Sequence, residues 1–127
     1  MIFIEEVIQI HDASIKEFGG SYGIRDIESL ESALIRPFQT FGGQYLYQDV
    51  FEKAAAIIES LIVNHPFVDG NKRTGFAICG LFLENCGYEF SIEQELITNF
   101  VIAIASGEVH FEEIVTWLRN NTNSIKK

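Results

Sequence analysis

A chain of 127 residues, 47% of them apolar and eleven of them Phe, is long enough to bury a core of its own and leaves little room for a second domain, so residues 1–127 are read as one unit. The net charge of −9 repels nucleic acid and anionic membrane surfaces on average, so neither is an expected partner and any anionic ligand must be met by a local group of cations. No apolar run reaches the length of a membrane span, and Glu5 and Glu6 break the short apolar start that a secretory leader would need, so cytoplasmic residence is the expectation.

Along the chain, Ile4, Val7, Ile8, Ile15 and Phe18 recur at helical spacing until Gly19-Gly20, which predicts a helix over 4–18 closed by a left-handed cap. Asp26 is the N-cap of a short second helix through Ile27, Leu30, Ala33 and Leu34, ended by Pro37. The stretch PFQTFGGQYLYQ from Pro37 to Gln48 has no helical period and a Gly pair at its centre, the pattern of a flap or hairpin-like loop. Asp49 and Glu52 form a capping-box start for a strongly apolar central helix that ends at Asn64, and Pro66 pushes His65 towards extended geometry. A further helix begins near Asn71 and stops at Asn85-Cys86-Gly87. Ser91 and Gln94 cap another, closed by Gly107, and a last helix spans about Phe111 to Asn120, packed through Ile114, Val115 and Trp117. The fold class is therefore all-α, about six helices with one flap, and only the final NNTNSIKK is expected to be disordered. Cys79 and Cys86 fall on one helix roughly 10 Å apart along its axis, too far for a disulfide. His11 and His110 read as surface or capping residues.

Between the two most apolar helices lies one compact polar segment, HPFVDGNKR, from His65 to Arg73. A fresh helix N-terminus presents unpaired N–H groups and the positive end of the dipole, and Gly70 lets backbone approach an anion closely. Lys72 and Arg73 are unfavourable cations in that first turn unless something negative offsets them, which a bound phosphate would do. Arg73 can grip phosphate oxygens in a fork and Lys72 supplies a movable charge. Asp69, which would repel the anion, fits as a ligand of Mg²⁺ shared with phosphate oxygens, so the pairing points to a nucleotide with its metal. His65 can take a proton from an attacking hydroxyl near neutral pH. These are the parts that phosphoryl transfer needs. Each also has a plainer role: His65 as a helix C-cap, Asp69 as a turn residue, Lys72 and Arg73 as solvated charges. GNKRTGF is not a Walker-type loop, since no Gly-Lys-Ser/Thr ending is present.

HPFVDGNKRT resembles the Fic-domain signature HPFxxGNGRxxR and, more closely, its Doc branch. The likeness extends through YGIRDIESLESALIRP, the TFGG flap, FEKAAAIIESLIVNHPF and FLENCG. Two departures from the general signature affect the nucleotide site: Lys72 replaces the second Gly, and Phe76 stands where the final Arg would bind the terminal phosphate. The resemblance implies a compact Fic-type helical bundle and a protein phosphotransferase, with ATP as substrate and Mg²⁺ as cofactor. In the Doc branch it implies transfer of the terminal phosphate to a Ser or Thr hydroxyl of elongation factor Tu, by a toxin held in check by a small antitoxin protein. Transfer of AMP to a protein hydroxyl is the alternative, and a catalytically inactive interaction protein with the same fold is a third. By the same resemblance His65 is catalytic, Asp69 holds the metal, and Gly70, Asn71, Lys72 and Arg73 line the phosphate site. Thr40, Phe41, Gly42 and Gly43 of the flap would guide the target chain by backbone pairing. Ser91 to Glu95 matches the family's inhibitory-helix pattern only in part, which favours restraint by a separate chain.

Overall fold

The computed structural model describes residues 2–125. Helix α1 (Ile4–Phe18) buries Val7, His11 and Ile15 on one stripe, the spacing of successive turns. Gly19 ends it with φ 88° and ψ 173°, which is a turn outwards and not the expected left-handed helical cap. Helix α2 (Ile27–Ile35) starts where the Asp26 side chain accepts from Ser29 N–H, and a 3-10 turn over Arg36–Phe38 absorbs Pro37. Strands β1 (Thr40–Phe41) and β2 (Gln44–Tyr45) form the flap, an antiparallel pair joined by Gly42 and Gly43 at φ 61° and 81°. Positive φ at both turn residues matches the right-handed twist of a two-residue hairpin.

Helix α3 (Val50–Val63) opens with the Asp49–Glu52 capping box and runs through the centre of the molecule, with Ala54 to Ile58 and Ser60 to Ile62 buried. Helix α4 (Asn71–Asn85) packs against it. The approach is close at Gly75, where an added Cβ would lie 2.9 Å from Ile62 Cγ1. That contact fixes the distance between the end of α3 and the start of α4. Helix α5 (Gln94–Ser106) and helix α6 (Phe111–Asn120) complete the six, with Trp117 of α6 stacked on Phe100 of α5 at 3.6 Å between ring centres. His110 is the N-cap of α6, its N–H donating to Glu113.

Two further segments, at the C-terminal strand and the start of α5, also differ from the sequence reading. Strands β3 (Tyr88–Phe90) and β4 (Thr122–Ser124) pair antiparallel, so NNTNSIKK begins in α6 and continues as a strand over Thr122–Ser124; Lys126 and Lys127 lie outside the described residues. Helix α5 starts after Glu93, with no side-chain cap from Ser91. The physical reason is that Ser91 N–H donates to Asn121 O at 2.9 Å, which continues the strand pairing and keeps Ser91 out of a cap.

Candidate active site

The site is assembled where α3 ends and α4 begins. After Asn64, His65 takes φ 48°, in the left-handed region and not the extended one that Pro66 favours. Neighbouring backbone explains why. Arg25 donates from Nε to His65 O and from Nη2 to Asn64 O, each at 2.6 Å, so a cation sits on the carbonyls just past the end of α3, where the helix dipole welcomes it. Arg25 N–H and Asp26 N–H both donate to Pro66 O, Val68 N–H donates to Gly23 O, and Ile24 bridges to Phe67. Residues 23–26 thus form a rail that grips the first half of the motif and turns the exposed His65 ring away from a strand path.

Asn71 closes the second half. Its Oδ1 accepts from Phe67 N–H and its Nδ2 donates to Phe67 O, both at 3.0 Å, and Phe67 is 1% exposed. The amide therefore faces inwards, and what Asn71 offers the outer side of the loop is its backbone N–H. Nδ2 also lies 3.5 Å from His65 Nδ1, too long to fix a tautomer of the ring. The first N–H bonded within α4 is that of Thr74, to Gly70 O at 3.0 Å, which leaves those of Asn71, Lys72 and Arg73 without helical acceptors. Free N–H groups at a helix N-terminus can receive an anion, and Lys72 and Arg73 lie exposed beside them.

Asp69 accepts from Ser21 N–H at 3.1 Å and from Gly70 N–H at 2.8 Å. Those two amides, with Arg73 nearby, hold its carboxyl below the usual carboxylate range. The grip needs Gly20, since a Cβ there would lie 2.6 Å from Asp69 Oδ2. Arg73 donates to Gly19 O at 3.0 Å and lies over the Phe18 ring, so the end of α1 holds both charged ends of the loop. Among the described residues no three His, Cys, Asp or Glu side chains gather to cage a metal. One ionised carboxylate with lone pairs to spare fits an ion whose remaining ligands are phosphate and water oxygens, as Mg²⁺ prefers.

The flap is rooted on the same helix that delivers His65. Arg36 donates to Tyr47 Oη at 2.8 Å and to Ser60 Oγ at 2.9 Å, and pairs with Glu59 at 2.9 Å, while Lys53 donates to Tyr47 O. Thr40, Phe41, Gly42 and Gly43 all lie exposed at its tip.

Residues 2–83 match the family described as Fic/DOC, and "Protein kinase doc" of Escherichia phage P1 is 32% identical over 115 residues, 91% of this chain and 90% of that protein. The chain belongs to the Fic/DOC family. "Toxin Doc" of Mycolicibacterium smegmatis is 41% identical over 76 residues, 60% of this chain and 58% of that relative's length. The compact helical bundle expected of a Fic-type fold is the one observed. Against the general Fic signature, Phe76 occupies the final Arg position and stacks on Phe90 at 4.6 Å between ring centres, so an apolar ring fills a place where that signature has a cation. No helix among the described residues is long and apolar enough to cross a membrane.

Sequence reasoning missed three residues that hold this Fic/DOC loop. Arg25 directly precedes the Asp26 N-cap and carries no motif of its own. Gly20 looked like a helix stop. His11 was read as surface or capping, but it is fully buried, stacked on Phe67 at 3.8 Å with its Nε2 2.7 Å from Asp69 O. A signal for it was present, because positions 7, 11 and 15 share the apolar stripe of α1.

Proposed function

We propose that this chain is a Doc-type toxin that transfers the terminal phosphate of ATP to a serine or threonine hydroxyl of elongation factor Tu and is restrained by a small antitoxin protein. The observation that carries this reading is the gathering of His65, Asp69 and the unpaired N–H groups of Asn71, Lys72 and Arg73 on one loop, in a chain matched over 91% of its length by a protein called a kinase.

In this reading the phosphates of ATP lie at the N-terminus of α4, met by those N–H groups, by Lys72 as a point charge and by the Arg73 fork. Asp69 would hold Mg²⁺, which supplies neutralisation of phosphate charge. His65 takes the proton of the acceptor hydroxyl through whichever ring nitrogen is unprotonated. The hydroxyl oxygen bonds to the terminal phosphorus as the bond to the bridging oxygen breaks, and ADP leaves with that electron pair. The target chain lies along the flap edge at Thr40 and Phe41. The antitoxin occupies the apolar groove of about 620 Å³ between α1, α4 and α5, where Ile10, Phe18, Phe76 and Ile97 line the walls and Lys72 and Arg73 the edge. An apolar helix with acidic residues would fill it and cover the loop's cations.

Incubation with elongation factor Tu and ATP labelled at either the alpha or the gamma phosphate tests the reaction. Gamma label is expected on the target, and none with His65→Ala. Alpha label on the target would overturn the kinase reading in favour of AMP transfer, which the Phe76–Phe90 stack disfavours. Coexpression with the product of a neighbouring short reading frame is expected to relieve growth arrest, and Ile97→Asp to prevent that relief.

A further inference from the structure

Among the described residues His11 is the only His, Lys, Arg, Asp or Glu with no exposed surface. It belongs to α1, 58 positions before its partner Asp69, and the transfer chemistry does not use it. A buried polar group of this kind costs stability unless its hydrogen bonds are made, so its contacts show what holds it. Its ring lies on Phe67 at an interplanar angle of 7°. Nε2 faces a carbonyl, which only accepts, so Nε2 carries a proton and donates it. Nδ1 faces Asp12 Oδ1 at 3.1 Å.

We infer that His11 is a positioning residue for the phosphate loop: by donating to the Asp69 carbonyl it sets the rotation of the Asp69–Gly70 peptide and, through it, the direction of the Asp69 carboxylate. In a trans peptide the C=O and N–H point opposite ways. With the carbonyl drawn inwards to His11, Gly70 N–H is turned outwards, where it meets Asp69 Oδ1 at 2.8 Å. His11 and Ile15 are also the floor beneath Gly70, since a Cβ there would approach Ile15 Cδ1 to 3.1 Å and His11 Nε2 to 3.5 Å. One imidazole on a neighbouring helix therefore fixes three consecutive elements of the motif: the Phe67 ring, the 69–70 peptide and the carboxylate. Its effect on nucleotide binding rests on the kinase reading of the loop; its effect on loop conformation does not.

A matched pair of substitutions separates hydrogen bonding from mere filling of space. His11→Gln places an amide N–H near the Nε2 position, whereas His11→Met has similar length and no donor; His11→Phe keeps the stack on Phe67 without the donor. Two measurements are made on each folded variant: the ¹⁵N–¹H resonance and hydrogen exchange of the Gly70 amide without ligand, and the Kd for Mg·ATP by calorimetry. Met and Phe are expected to shift the Gly70 resonance, speed its exchange and weaken Mg·ATP about tenfold, the worth of one lost hydrogen bond. Gln is expected to leave the amide in place and the Kd within about threefold. An unchanged Gly70 amide in Met and Phe, or a Gln variant as perturbed as Met, would overturn the inference. If the unsubstituted chain fails to bind Mg·ATP, the nucleotide reading falls, and the Gly70 amide still decides the role of His11.

Discussion

Replacing Asn71 by alanine removes the single side chain that closes the loop on itself. Two backbone groups lose their partners, Phe67 N–H and Phe67 O, each bonded at 3.0 Å in a place where Asn71 is 8% and Phe67 1% exposed. A buried backbone group left unpaired costs about 1–3 kcal/mol, so the pair is worth about 2–6 kcal/mol before water enters the space of the lost amide. Water restoring one of the two bonds brings the expected loss to about 1–3 kcal/mol. With a urea slope of about 1–3 kcal/mol per molar, the unfolding midpoint should fall by about 0.3–3 M. Asn71→Asp is the sharper companion. Nearly the same shape keeps an acceptor for Phe67 N–H but sets a carboxylate oxygen against Phe67 O, so the loss should equal or exceed that of alanine. The measurement is urea unfolding followed by tryptophan fluorescence, since Trp117 is the only Trp. A midpoint lowered by less than about 0.3 M in Asn71→Ala would refute the idea that this amide holds the loop, whatever the effect on activity.

Other outcomes follow from neighbouring contacts. Arg25→Ala removes two bonds to the carbonyls that end α3; water replaces them at this exposed site, so stability should fall by only about 1–2 kcal/mol while phosphate transfer falls further, because the left-handed His65 loses its support. Equal losses in stability and rate would count against that role. Gly75→Ala gains about 1 kcal/mol of helix propensity but drives a methyl to within 2.9 Å of Ile62 Cγ1, an overpacking cost of about 1–3 kcal/mol; calorimetry should show a lower Tm, and a higher one would mean that α4 can move off α3 freely. Asp26 has its pKa lowered below 3.8, first by the backbone N–H of Ser29 and then by its hydroxyl. A depressed folded-state pKa gives stability that is present above the unfolded value and lost as pH falls through the folded one. Asp26→Asn, which keeps a capping oxygen without the charge, should therefore flatten the acid side of the stability curve below about pH 4 and leave neutral pH nearly unchanged; an acid limb as steep as before would exclude Asp26 as its source.

Those contacts also show which parts of the molecule were legible in sequence. The helices were, since α1 covers the expected 4–18, α3 starts at the Asp49–Glu52 box, and α4 begins at Asn71. Amphipathic spacing and caps are local, so they survive in the linear text. The Gly42-Gly43 turn was equally readable, because few residue pairs take positive φ twice. The strands β3 and β4 were not. Three residues carry too little alternation to register, and their partners lie more than thirty residues apart. In the motif, reactive residue types could be listed from the sequence, but their supports could not. Arg25, Gly20 and His11 act across the chain, and the left-handed φ of His65 opposes the local preference set by Pro66, so tertiary contacts decide it.

The loop is held from three stretches of chain: α1 and its exit through His11, Gly19 and Ser21, the rail at Gly23 to Asp26, and Asn71 at the head of α4. No local piece of the polypeptide contains all three. A ribosome-bound chain with α1 and α2 exposed and α3 just emerging has already made His65, yet it has neither the inward amide of Asn71 nor an α4 to press Phe67 against His11. The loop therefore takes its shape only when the first and fourth helices have docked. Between synthesis of His65 and assembly of its loop, a newly made chain lacks the arrangement on which the proposed transfer depends.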